Sequence, residues 1–237
     1  QHENNTYFNI INSANRYAHN NSDTAKIKSL VLHIFEMMRD RHKIFRNQEQ
    51  LSWKQEFFKS VDADLMYGAG SCGGYSKVLT RSLSLAGYKV RIGQLKVQGY
   101  YGGHILMEVF SKAFNKWILV DPLFGVLLTD SLGYPLSYKE AEQRWDEIKN
   151  NFPLSYQATY RYQGIRYTNW DKYGWASRLV KSILTPIIGK DNIDTFSMRP
   201  LLLSTYKVYF VLCLFLFFLY HSFNFYTFLK KQKVATS

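Results

Sequence analysis

Residues 68–95 read GAGSCGGYSKVLTRSLSLAGYKVRIGQL, a thiol set among small residues at the head of an apolar-periodic run. Tyr75, Val78, Leu79, Leu83 and Ala86 recur at helical spacing, and Gly87 supplies the C-terminal stop. Beyond the glycine, Val90 and Ile92 alternate with charged residues, which is strand patterning. The stretch therefore predicts Cys72 at the N-terminus of a helix that feeds a strand. Unpaired amides and the helix dipole at that position favour the thiolate. Gly73, a candidate substrate contact, leaves room for a substrate backbone. Taken alone, a single cysteine is more often inert filler, so its neighbours must decide.

Working outward, residues 1–22 are polar and Asn-rich and read as a poorly ordered lead-in, whose Tyr7, Phe8, Ile10 and Ile11 could dock on the body. From Asp23, the residues Ile27, Leu30, Val31, Ile34, Phe35 and Met38 form one helical stripe. A second helix is expected to carry Leu51, Trp53, Phe57 and Phe58. Downstream, Ile105 to Phe110 and Trp117 to Val120 are two apolar runs joined by SKAFN and predict an antiparallel hairpin. With the turn centred near Ala113, His104 falls opposite Asp121 or Pro122, and a one-residue slip would change the face of either side chain. A helix over Ser137–Asn150 opens with a capping box, Ser137 and Glu140. Residues 153–180 are crowded with Tyr, Trp and Arg and have no clean period.

A thiol at a helix start, a histidine at a strand start and an acid at the end of the partner strand are the parts of a Cys-His-Asp triad. His104 would take the thiol proton and return it to a leaving amine, and Asp121 would hold the imidazole tautomer. The other histidines lie in the N-terminal region (His2, His19, His33, His42) or in the terminal apolar run (His221). Each residue also has an ordinary reading: Cys72 as filler, His104 as a turn residue after Gly102 and Gly103, and Asp121 as a strand end before Pro122. Their order and setting jointly fit one chemistry.

The segments SCGGYSKVLTRSLSLAGYKVRIGQL, GGHILMEVF and NKWILVDPLFG, within residues 65–125, resemble the core of the transglutaminase-like superfamily. That resemblance implies an α+β fold, a papain-like core with helices packed on an antiparallel sheet. It also implies Cys72 as nucleophile, His104 as base and acid, and Asp121 as orienter. Members include amide hydrolases, proteases and acyl-transferring cross-linkers, along with inactive relatives. Glu108 stands where such proteins often carry an acid after the histidine, and Leu106 stands where an aromatic is usual. For the oxyanion, Tyr67 and the Cys72 amide are the candidates.

Two cysteines exclude a disulfide framework. A net charge of +12, from 30 Lys and Arg against 18 Asp and Glu, suits an anionic partner such as a membrane surface. Nucleic acid is not expected, because zinc-finger spacing, ribonucleoprotein-type aromatic motifs and a dense basic stripe are all missing from the sequence. No metal or cofactor is expected. The chain opens at Gln1 rather than Met, so an upstream segment is expected to have been removed. Val208 to Leu229 carries no charge and as a helix is about 33 Å long, enough to cross a bilayer core. Lys190, Arg199 and Lys207 before it balance Lys230, Lys231 and Lys233 after it, so charge does not set the orientation.

The expected organisation is a lead-in over 1–22, a transglutaminase-like domain over 23–200, and a membrane helix with a basic tail over 207–231. The expected function is that of a membrane-tethered thiol enzyme, single-pass with its catalytic domain extracytoplasmic. It would cleave or transfer an amide or acyl bond of a peptide, protein or amide-bearing cell-surface substrate through a Cys72 thioester, in contact with membrane lipid. The alternative is a catalytically inactive binding or assembly module of the same fold, acting on a cell-surface polymer.

Overall fold

The computed structural model describes residues 2–41, 61–67, 72–203 and 205–235. The helix expected around Leu51, Trp53, Phe57 and Phe58 lies outside these, as do Gly68 to Ser71 of the thiol's N-terminal flank. The chain divides into two compact units, 1–200 and 201–237.

Polar as they are, the first 22 residues hold a helix, α1 (His2–Arg16), which buries Tyr7, Ile10, Ile11 and Ala14 and leaves Phe8 exposed. Those four residues recur at three- and four-residue steps, enough for one narrow apolar stripe in an Asn-rich segment. Helix α2 (Asp23–Arg39) is capped by Ser22, whose hydroxyl accepts the Ala25 amide, and it buries Ile27, Leu30, Val31, Ile34 and Met38 as its period requires. After α3 (Val61–Tyr67), α4 (Cys72–Leu85) begins at the cysteine itself. It ends at Gly87, in the left-handed region at φ +86°, with the Tyr88 amide donating to the Leu83 carbonyl.

Strands β1 (Val90–Val97), β2 (Tyr100–Ser111), β3 (Lys116–Asp121) and β4 (Val126–Leu127) follow. Helices α5 (Tyr138–Gln143), α6 (Trp145–Ile148) and α7 (Leu154–Thr159) precede β5 (Ile165–Arg166). The five strands form one antiparallel sheet in the order β4-β3-β2-β1-β5. Helices α8 (Ala176–Ile188) and α9 (Arg199–Leu202) complete the α+β arrangement. The capping box at Ser137 and Glu140 forms as expected. The single helix expected over 137–150 does not, because the backbone breaks at Arg144 into α5, α6 and a short 3₁₀ turn.

The hairpin register differs from expectation by one step. Phe110 pairs with Trp117 and Met107 with Val120, so the centre lies between Ala113 and Phe114. Asn115, at φ +49°, closes the turn. Continuing that register sets Leu106, not His104, opposite Asp121. His104 is then a diagonal neighbour of Asp121 on the same face, a separation of about 7–8 Å between backbones that two side chains can bridge. Nor is His104 at the strand start, since β2 begins at Tyr100. Leu95 pairs with His104 but Lys96 pairs with Tyr101, so Gly102 and Gly103 bulge out of the ladder just before the histidine. Gly102 is at φ +107°, and a Cβ on Gly103 would come within 2.6 Å of Val97 Cβ, so both positions demand glycine. Bulges of this kind re-aim the residue that follows.

Alternation along β2 sorts the two faces of the sheet. Leu95, Leu106 and Leu119 pack with Leu128, Leu136, Tyr138, Ala141, Ile148, Phe152, Tyr156 and Tyr162 in one core under α5 to α7. Met107 points the other way, toward α4, where the Thr80 hydroxyl meets its sulfur at 3.6 Å. The second unit holds α10 (Thr205–Ala235), whose segment Val208–Thr227 is long and apolar enough to cross a membrane. Its large apolar side chains, Phe210 and Phe217 among them, are exposed.

Candidate active site

Cys72 is the first residue of α4 and is buried. The ladder between β2 and β3 stops at Met107 and Val120, short of Ile105, whose amide interacts with the Cys72 sulfur. The thiol also interacts with the His104 imidazole, one residue before Ile105 on β2. A methyl on Gly73 would meet Ile105 Cδ1 at 3.7 Å, an ordinary contact, so packing alone does not demand glycine there. Tyr67 ends α3, and its side chain lies outside the described residues.

His104 and Asp121 are both fully buried and meet at 2.7 Å between Nε2 and Oδ2. An ionised carboxylate only accepts, so Nε2 carries the proton and Nδ1 is left to face the thiol. Nδ1 makes no hydrogen bond of ordinary geometry among the described residues, although the ring and the thiol interact. Thiol and base contacts of this type are often loose without substrate and tighten when it binds. Asp121 is itself held on both oxygens: Oδ1 accepts the Leu123 amide at 3.1 Å, and Oδ2 also accepts the Tyr156 hydroxyl at 2.9 Å.

Three tyrosines complete the surroundings. The Tyr156 hydroxyl shares a 2.8 Å hydrogen bond with the Tyr162 hydroxyl. Tyr160 stacks on the imidazole at 4.3 Å between centroids, and Phe124 meets it edge-on. The three tyrosines lie in the aperiodic aromatic stretch, whose composition marked it as unusual without showing where its rings would go. Both Tyr160 and the half-buried Arg199 interact electrostatically with the thiolate. Arg199 is placed by the preceding residues: Ser197 bonds both the amide and the carbonyl of Ile92, and the Met198 amide donates to Thr168.

Thiol and imidazole each shift the other toward its charged form. Burial alone would push the Cys72 thiol up, but the neighbouring His104 imidazole, by contact and by charge, together with the Ile105 amide, outweighs it and holds the thiol below its ordinary value. Burial opposes protonation of His104, yet Asp121 and the thiolate push the imidazole up to about 9. The two titrate as a coupled pair. A raised imidazole value stabilises the fold fully below the ordinary value near 6.5, and that contribution is lost as pH rises through about 9. In a Cys72→Ser background, where no thiol titrates against the imidazole, denaturant midpoints are therefore expected to fall relative to those of the same background carrying His104→Gln as pH rises above about 6.5, with the two profiles parallel at lower pH.

Glu108, the acid that follows the histidine, belongs to a different network. Its carboxylate binds the Arg91 guanidinium at 2.7 Å, the Tyr138 amide at 2.9 Å and the Tyr167 hydroxyl. No group of three or more His, Cys, Asp or Glu side chains placed to hold a metal ion occurs among the described residues. Comparison with known proteins finds no match for this chain among protein-family models, curated proteins or solved structures.

Proposed function

We propose that the protein is a transglutaminase-like, papain-like thiol enzyme, tethered to a membrane by α10, that attacks an amide or related acyl bond. The observation that carries this reading is the connected series Cys72, His104 and Asp121, with a lowered thiol at one end and a doubly held carboxylate at the other. The Cys72 thiolate adds to the acyl carbon, and the carbonyl electron pair moves onto oxygen near the amide of Cys72 at the start of α4. Collapse of that intermediate breaks the bond to the leaving amine, which takes the proton from His104 and leaves a thioester on Cys72. His104, now neutral, deprotonates water or an acceptor amine, whose attack releases the acyl group and restores the thiolate. Asp121 fixes the tautomer throughout, and its bond to Tyr156 keeps the carboxylate oriented.

Intact-mass measurement after exposure to an activated acyl ester tests this directly. The expected result is a hydroxylamine-sensitive adduct that maps to Cys72 and is lost in His104→Ala. Discharge of the adduct by glycine ethyl ester rather than water would separate transfer from hydrolysis. Adducts confined to lysines or tyrosines would overturn the enzyme reading and leave the inactive binding module.

A further inference from the structure

Helix α8 exposes four large apolar residues at regular four-residue steps: Trp175 just before its start is 84% exposed, Leu179 55%, Ile183 57% and Ile187 74%. None of the helix is fully buried, and its main packing partners are the turns on either side of it, Trp170–Tyr173 and Lys190–Asn192. Val180 and Leu184, on the adjoining stripe, are partly covered, so the domain uses one half of a wide apolar face and leaves the other half bare. A soluble surface gains nothing from a continuous row of this kind, which costs hydrophobic free energy in water.

We infer that α8 lies in the plane of a phospholipid bilayer, with Trp175, Leu179, Ile183 and Ile187 entering the boundary between headgroups and acyl chains. Three observations choose lipid over a protein partner. The chain runs from Ile188 to the apolar segment Val208–Thr227, so when that segment spans, α8 is confined to the neighbourhood of the same membrane. The helix spans only Ala176–Ile188, about 20 Å, too short to cross a hydrocarbon core of about 30 Å, and so suited to lying along it. The stripe opens with Trp175, and indoles concentrate at the bilayer interface, where the ring is half in apolar surroundings.

The charge around the helix is mixed. Exposed Lys172, Arg178 and Lys190 are accompanied by Asp171, Asp191 and Asp194, the last bonded to Lys181 at 3.3 Å. The contact is therefore hydrophobic in origin and does not require anionic lipid. Its consequence is a domain held close to the bilayer, so that substrates within reach of the surface are the ones presented to Cys72. This inference rests on the membrane-tethered reading of the protein.

The test uses the full chain reconstituted in phosphatidylcholine vesicles, in a Cys72→Ser, Cys213→Ser background carrying one NBD-labelled cysteine. Labels at Ile183→Cys and Ile187→Cys are expected to shift to the blue and to lose emission to spin-labelled lipid, while a label at Arg178→Cys is quenched by aqueous iodide. Iodide quenching at Ile183→Cys and Ile187→Cys would overturn the inference. So would protection from both quenchers, which would place a second copy or another protein on the stripe. Resistance of the same vesicles to alkaline extraction reports the membrane span separately, so loss of the tether and loss of the α8 contact give different results.

Discussion

Glu108→Ala is expected to destabilise the first unit by about 3–5 kcal/mol, the scale found when one member of a buried ion pair is removed. The reason lies in what would be left behind. Arg91 sits between the rings of Trp117 and Tyr167, at 4.4 Å and 4.5 Å from their centroids, with only 15% of its side chain exposed. Without the carboxylate its charge would be buried and unpaired, and the Tyr138 amide and Tyr167 hydroxyl would lose their acceptor. One side chain thus ties β1 and β2 to the start of α5 and to the segment after β5. Urea denaturation should show the loss as a lower midpoint. An Arg91→Leu, Glu108→Leu double variant should recover part of it, because removing both charges removes the unpaired one.

The second large effect concerns reactivity. His104→Ala is expected to slow acylation of Cys72 by about 10²–10⁴-fold, the usual contribution of a positioned acid and base. Asp121→Asn should approach the same loss by another route. The asparagine amide donates to Nε2, which transfers the ring proton to Nδ1 and leaves no acceptor facing the thiol. Stopped-flow rates with an activated acyl ester would measure both. Retention of the rate in Asp121→Asn would mean that the carboxylate only holds the backbone turn through Leu123.

The helix at Cys72 and the hairpin beyond it were legible because each is a local pattern with a physical stop or turn. Gly87 ends α4 in the conformation its lack of a side chain permits, and SKAFN separates two apolar runs. The pairing of His104 with Asp121 depended on parity along the strands. The observed register, one step from a turn centred on Ala113, puts the two on one face as diagonal partners, which pattern alone does not decide. Two things were not legible. The Gly102–Gly103 bulge needs the pairing with β1 before it can be seen, because glycines next to a histidine read equally well as a turn. The shell of Tyr156, Tyr160 and Tyr162 arises from a helix and an irregular segment folded over the sheet, where tertiary packing, not period, places each ring.

Central to the account is that Cys72 is ionised by His104, and the thiolate absorbance near 240 nm, followed against pH, tests it most directly. In a Cys213→Ser background, the difference between Cys72 and Cys72→Ser chains isolates one sulfur. The predicted titration has its midpoint below the ordinary thiol value of about 8.5 and moves upward in His104→Ala, where burial acts unopposed. A midpoint at or above about 8.5 in the parent, unchanged by His104→Ala, would contradict the account.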